Sequence, residues 1–299
     1  MKKFLLRLFI LSGASLFSQN DLLAELELES EPEIQFVKAT WKSPYLINVY
    51  TTETERKGIL DFRISHRFGN LAGESGGGHS LFGLDKASNI RFSFDYGVTE
   101  DFQIGIGRSK TNEHLDFLLK YKLLKQKKEG MPISAVVLSN AAFTPKRDPN
   151  EYFSKITHRV MYINQLVVGR KFNDNFSLLI NLSHFHKNLV IQKADKNLPR
   201  DKNDLFSLGL GTRYKLNRKL SLVGEYNYTF EEFRNSKEIE YFHPLSLGIE
   251  LETGGHVFHI NLSNSAGLIF QDLLDSGVDN WQDGEIKLGF TISRFFTIL

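Results

Sequence analysis

The chain has 299 residues, a formal net charge of +2 and acidic and basic residues spread along its length, so no basic field points to nucleic acid. It has no cysteine, which excludes a disulfide framework, a thiolate metal site and a cysteine nucleophile. Mean hydropathy is −0.25, yet 25 Phe, 10 Tyr and 23 Gly suit many strands with aromatic ends and small interior positions better than a bundle of apolar helices.

At the start, Lys2-Lys3 precede an apolar run from Phe4 to Leu11 and the small residues Ser12 to Ser15, the layout of a secretory signal peptide over 1–18, cut between Ser18 and Gln19. The run falls short of the ~20 residues that a spanning helix needs, and no later stretch is long and apolar enough for one. An exported membrane protein without such a helix crosses as a barrel. Residues 19–57 carry an acidic stretch, Glu25, Glu27, Glu29, Glu31 and Glu33, then Trp41, Tyr45 and Tyr50. They read as a periplasmic arm, a linker with scattered aromatics, rather than as a plug.

From Gly58 a period-two alternation begins and persists to the end, giving residues 58–299 as one barrel. The first strand sets Leu60, Phe62, Ile64 and Phe68 against Asp61, Arg63, Ser65 and Arg67, and the Gly-rich loop 69–88 follows. The second sets Ile90, Phe92, Phe94 and Tyr96 against Arg91, Ser93 and Asp95; the third carries Phe102, Ile104 and Ile106; the fourth Leu115, Phe117, Leu119, Tyr121 and Leu123. Strands at 133–141 and 158–170 are partly apolar on both faces, which leaves their facing open. Phe176, Leu178, Ile180, Leu182 and His184 mark the next.

The clearest hairpin runs from Leu205 to Tyr228. Phe206, Leu208, Leu210, Thr212, Tyr214 and Leu216 alternate with small or charged residues, Asn217-Arg218-Lys219 turn the chain, and Leu220, Leu222, Gly224, Tyr226 and Tyr228 bring it back. Arms of this length suit a tilted membrane strand of about 9–11 residues. Strands at Leu245–Leu251, Phe258–Leu262 and Ile286–Ile292 complete a count of twelve. Connections after strands two, four, six, eight and ten are short and the others long, except the third-to-fourth; this is the pattern of an outer-membrane barrel with both termini in the periplasm.

The fold expected is therefore all-β, a single antiparallel up-and-down transmembrane β-barrel of about twelve strands in the outer membrane. A soluble barrel would show the same alternation with its apolar face inward, but twelve strands lined by Leu and Phe would enclose a large dry void. Tyr96, Phe102, Tyr121, Phe172, Phe176 and Tyr214 flank the short turns as an interfacial girdle would.

The polar faces then point into the lumen, and Arg63, Arg91, Asp95, Lys120, Glu225, Glu250, Glu252 and Lys287 are the candidate lining residues. Charges there must pair or stay hydrated. They suit either a closed, salt-bridged filling or a hydrated pore for small polar solutes, with basic residues on early strands and acidic ones on late strands setting a transverse field. The expected function is a passive channel or binding barrel for such solutes; the alternative is a structural or surface-binding barrel, and a membrane lipid hydrolase is remote.

His184 and His186 share a face two residues apart but lack a third ligand nearby in sequence, so they read as interfacial side chains and no metal site is assigned. Ser65-His66 and His79-Ser80 invite comparison with a Ser-His enzyme, but adjacency cannot establish a triad. Gly76-Gly77-Gly78 lacks the Lys-Ser/Thr of a phosphate loop and reads as external loop. No catalytic residue and no cofactor is expected. The partners expected are outer-membrane lipid and the insertion machinery.

The stretches Leu60 to Gly69, Phe82 to Phe92, Phe94 to Gly97 with Ile104 to Ser109, and Phe117 to Leu123 resemble an uncharacterised family of outer-membrane β-barrel proteins from Bacteroidota. The resemblance covers about 57–299 and implies an outer-membrane location, with no enzyme activity or substrate attached. The last strand, ending Phe295-Phe296-Thr297-Ile298-Leu299, departs from the usual terminal aromatic of such barrels.

Overall fold

The computed structural model describes residues 35–190, 202–230 and 240–298. The segment 1–34 thus lies outside them, and with it the signal-peptide reading and the acidic stretch. Val37–Leu299 form one compact unit.

Twelve antiparallel strands close into a barrel in simple sequence order, β1 pairing with β12. They are β1 (Ile59–Asn70), β2 (Ala87–Gly97), β3 (Phe102–Ser109), β4 (Leu115–Leu124), β5 (Ser134–Phe143) and β6 (Val160–Lys171). The second half is β7 (Phe176–Lys187), β8 (Asp204–Lys215), β9 (Leu220–Thr229), β10 (Leu245–Thr253), β11 (His256–Ser263) and β12 (Lys287–Thr297). Closure leaves no strand edge unpaired, which is what a sheet in lipid requires. No helix among the described residues is long and apolar enough to cross a membrane.

Facing follows from period two. Phe94, Ile106, Phe117, Leu119, Leu182, Leu208, Leu210, Leu222, Leu247, Ile249 and Ile260 are all exposed on the outer face, while Asp61, Arg63, Arg91, Asp95, Lys120 and Glu225 are buried inside. An outer face so apolar fits hydrocarbon, not water. Phe102 lies opposite Tyr121 and Phe176 opposite Tyr214, so the aromatic residues of neighbouring strands form cross-strand pairs near one rim.

The end of the barrel where Ile298 donates its backbone N–H to the Gly58 carbonyl is called the proximal end. Connections 98–101, 125–133, 172–175, 216–219 and 254–255 lie there. The other six, including the short 110–114, lie at the distal end. The third-to-fourth connection that broke the sequence pattern is therefore a distal loop that happens to be short.

The interior holds two further pieces. Residues 37–57, expected as a linker outside the barrel, instead fold back into the lumen from the proximal end as a short hairpin. From the distal end the β11–β12 connection dips inward and forms helix α1 (Phe270–Asp275), whose Phe270, Gln271, Asp272, Leu273 and Leu274 are buried. Their apolar side chains join Trp41, Leu46, Ile47 and Val49 of the hairpin and the inward Val136, Leu138, Ile163, Val167, Leu179, Phe185 and Leu205 in one cluster. This explains why β5 and β6 are apolar on both faces: one meets lipid and the other meets the two insertions.

Candidate functional site

The hairpin is closed by Tyr45 and Tyr50 pairing across it, with the Leu46 N–H donating to the Val49 carbonyl at 2.9 Å and the Thr51 N–H to the Pro44 carbonyl at 2.8 Å. Its tip, 46–49, exposes backbone donors that no strand can satisfy. One wall residue takes them: the Glu225 carboxylate on β9 accepts the N–H of Ile47 at 3.3 Å, of Asn48 at 3.0 Å and of Val49 at 3.1 Å. Successive N–H groups converging on an anion form a nest, and the charge makes each bond stronger than a neutral one.

Around that point the wall grips the hairpin polar group by polar group. Arg67 donates to the Asn48 side-chain oxygen at 2.7 Å and to Asn261 at 2.9 Å, and Asn48 donates onward to Ser246 at 3.0 Å. The Tyr45 hydroxyl donates to the Asp95 carboxylate at 3.2 Å. The Arg63 guanidinium lies 4.2 Å from the Tyr45 ring centre and donates to Ser43 at 2.7 Å. Lys120 donates to the carbonyls of Pro44 at 3.2 Å and Glu53 at 2.5 Å. At the rim, Lys42 pairs with Glu252 at 2.5 Å.

Two glycines make the fit possible. A side chain at Gly97 would strike the Arg56 carbonyl, where the hairpin's return arm passes β2. One at Gly211 would come within 3.0 Å of Leu46 at the tip.

Of the residues selected from sequence, Arg63, Arg91, Asp95, Lys120, Glu225, Glu250 and Lys287 are buried inside, and Glu252 is half-exposed at the proximal rim. Arg63, Asp95, Lys120 and Glu225 hold the hairpin. Along the wall Arg91 pairs with Asp116 at 2.6 Å and Glu250 with Arg213 at 2.8 Å, while Lys287 reaches Asp279 of the β11–β12 connection at 2.7 Å. Three of the charges behind the transverse field expected between early and late strands have an opposite charge beside them: Arg63 has Asp61 at 2.7 Å, Arg91 has Asp116 and Glu250 has Arg213.

The distal insertion is also tied by polar groups. Gln271 donates to the Asn140 side-chain oxygen at 2.6 Å, Asp272 meets the His114 ring at 3.2 Å, and Lys187 pairs with Asp275 at 2.7 Å.

The remaining sequence candidates separate. Ser65 faces the lumen, where it accepts from Thr291 at 3.1 Å, while His66 points outward and stacks on Phe290 at 5.3 Å, so the adjacent pair cannot act together. Ser80 donates to the Gly77 carbonyl. His184 and His186 acquire the third partner that sequence spacing hid, Asp204, which sits opposite His186 on β8 and meets both rings at 2.8 Å. Among the described residues, no group of three or more His, Asp or Glu side chains is arranged to hold a metal ion.

Several solved barrels are similar to this chain. The NanC porin shares 12% identity over 80% of this chain and 100% of its own, with a TM-score of 0.49. The KdgM porin shares 8% over 81% and 99%, at 0.44. The COG4313 outer membrane channel from Pseudomonas putida F1 shares 12% over 82% and 98%, at 0.48. No curated protein matches the sequence. A family model described as a membrane bound beta barrel domain (DUF5777) matches residues 41–296, a span that runs from Trp41 of the inserted hairpin to Phe296 near the end of β12, and the chain belongs to that family.

Proposed function

We propose that the protein is an outer-membrane conduit for small polar solutes that rests shut, with its own hairpin 37–57 as the movable plug and the proximal end facing the periplasm. The observation that carries this reading is the Glu225 nest. A plug built only to fill the barrel needs apolar packing alone; this one adds to its apolar contacts a polar grip, by the Glu225 carboxylate and Arg67 at its tip and by Arg63, Asp95 and Lys120 at its flanks. Those wall groups would line a hydrated pore once the hairpin withdrew, so the same side chains serve a closed and an open state.

The reading is tested by single-channel recording in planar bilayers. The full chain should open rarely, and Glu225→Ala should raise the fraction of time spent open. The apolar seat of α1 against β5–β8 favours a second reading, a permanently closed barrel that works through its distal loops. Silence from a correctly folded Glu225→Ala variant, confirmed by heat-modifiable gel migration, would favour that second reading.

A further inference from the structure

The distal mouth contains a cleft of about 540 Å³, set between the β3–β4, β5–β6 and β7–β8 connections and reaching down to Asp275 at the end of α1. This volume falls in the range of small-ligand sites. Its cations are Lys146, Arg147, Arg159 and Lys187, against two carboxylates, Asp148 and Asp275. Both carboxylates are engaged: Asp148 accepts the Phe153 N–H at 2.6 Å and Asp275 takes Lys187 at 2.7 Å. Among the described residues, the exposed side chains of Lys146 and Arg147 meet no carboxylate.

The cleft is held open by its own loop rather than by chance. Arg159 donates to the carbonyls of Thr144 at 3.2 Å and Lys146 at 2.6 Å and stacks over Phe153 at 4.5 Å. Thr144 donates to the Asn112 carbonyl at 2.6 Å, tying this loop to the β3–β4 connection, and Asn188 donates to the Thr157 carbonyl at 2.8 Å. Arg159 thereby keeps its charge in place and, among the described residues, meets no carboxylate; the exposed ring of Tyr152, 50% accessible, lines the same cleft.

We infer that this cleft binds a small hydroxylated anion of about monosaccharide size, its carboxylate or phosphate held by Lys146, Arg147 and Arg159 and its body against Tyr152. Cations set around an uncompensated centre select the charge, and an exposed ring beside them offers a flat apolar face to a sugar-like body. Such a group could come from a free solute or from the phosphorylated sugar headgroup of an outer-leaflet lipid. The cleft lies outside the hairpin's reach, so binding there stands whether or not the plug moves.

The experiment is calorimetric titration of the full chain in phosphatidylcholine nanodiscs with glucuronate, glucose 6-phosphate and glucose. At least one anion should bind saturably and about tenfold or more tighter than glucose, with affinity falling as salt rises. Lys146→Ala with Arg147→Ala should remove that advantage, while Arg218→Ala, in the proximal 216–219 turn, should leave it intact. Repeating the titration with lipopolysaccharide in the nanodisc identifies the source: competition marks a lipid headgroup, and an unchanged affinity marks a free solute. Equal binding of glucose and the anions, or anion binding untouched by the double substitution, would overturn the inference.

Discussion

Glu225 and Asn48 are 177 residues apart in sequence, yet the Glu225 carboxylate accepts the Asn48 backbone N–H at 3.0 Å at the tip of the inserted hairpin. That contact joins the barrel wall to the segment that fills it. A hydrogen bond to a charged group contributes roughly 1.5–3 kcal/mol, so Glu225→Ala should free the tip. Thiol labelling of Val49→Cys, at a position fully buried in the wild-type fold, should be about tenfold or more faster in the Glu225→Ala background. Equal rates would mean that the tip is held by packing alone.

A second prediction concerns pH. Burial, reinforced by the neighbouring Asp61 and Asp95 carboxylates, pushes the Glu55 carboxyl of the hairpin up to about 8. Because the value is raised in the folded state, the docked hairpin retains a proton that the released one gives up. Docking is therefore strongest below the ordinary value of 4.5 and weakens as pH rises toward about 8. Acrylamide quenching of Trp41, read in a Trp281→Phe background, should increase over that interval and stay flat in Glu55→Gln.

Lipid facing can be checked energetically. Leu208→Arg and Ile249→Arg place a charge on the outer face and should each cost roughly 2–4 kcal/mol near the bilayer midplane. Ser207, one position away, is buried in the filled lumen, so Ser207→Arg should also be costly, by about 1–3 kcal/mol, through overpacking. Denaturant titration in lipid vesicles separates the causes: thinner bilayers should relieve the first pair and leave the third unchanged.

Sidedness gives a fourth test. An impermeant thiol reagent on whole cells should label Glu74→Cys in the distal β1–β2 connection and spare Asn217→Cys in the proximal 216–219 turn. The reverse pattern would invert the proposed orientation.

Much of the barrel could be read from period two alone, because most outward positions are apolar and, away from β5–β7, most inward ones are small or polar. The hairpin could not. Trp41, Tyr45, Leu46, Ile47, Val49 and Tyr50 follow neither a strand nor a helix period, since they satisfy the shape of the lumen and not a regular face of their own. A signal for it did exist on the wall: Val136, Leu138, Ile163 and Val167 are apolar positions facing inward, which in a water-filled pore would have no partner. The lumen charges were identifiable as a set, but not their pairing. Asp116 and Arg213 neutralise Arg91 and Glu250 across strand registers that alternation does not specify, and Asp204 reaches His184 and His186 from the next strand in the same way; the Asp61–Arg63 pair lies two positions apart on β1.

The most direct test of the plugged conduit is a tether between the hairpin tip and the wall. Asn48 and Ser246 meet side chain to side chain at 3.0 Å, and the chain has no other cysteine to interfere, so Asn48→Cys with Ser246→Cys should form a disulfide on oxidation. In planar bilayers the oxidised protein should be silent, and the same molecules should show conductance steps after reduction. Steps of equal frequency in both states, or silence in both, would contradict a gate made by this hairpin.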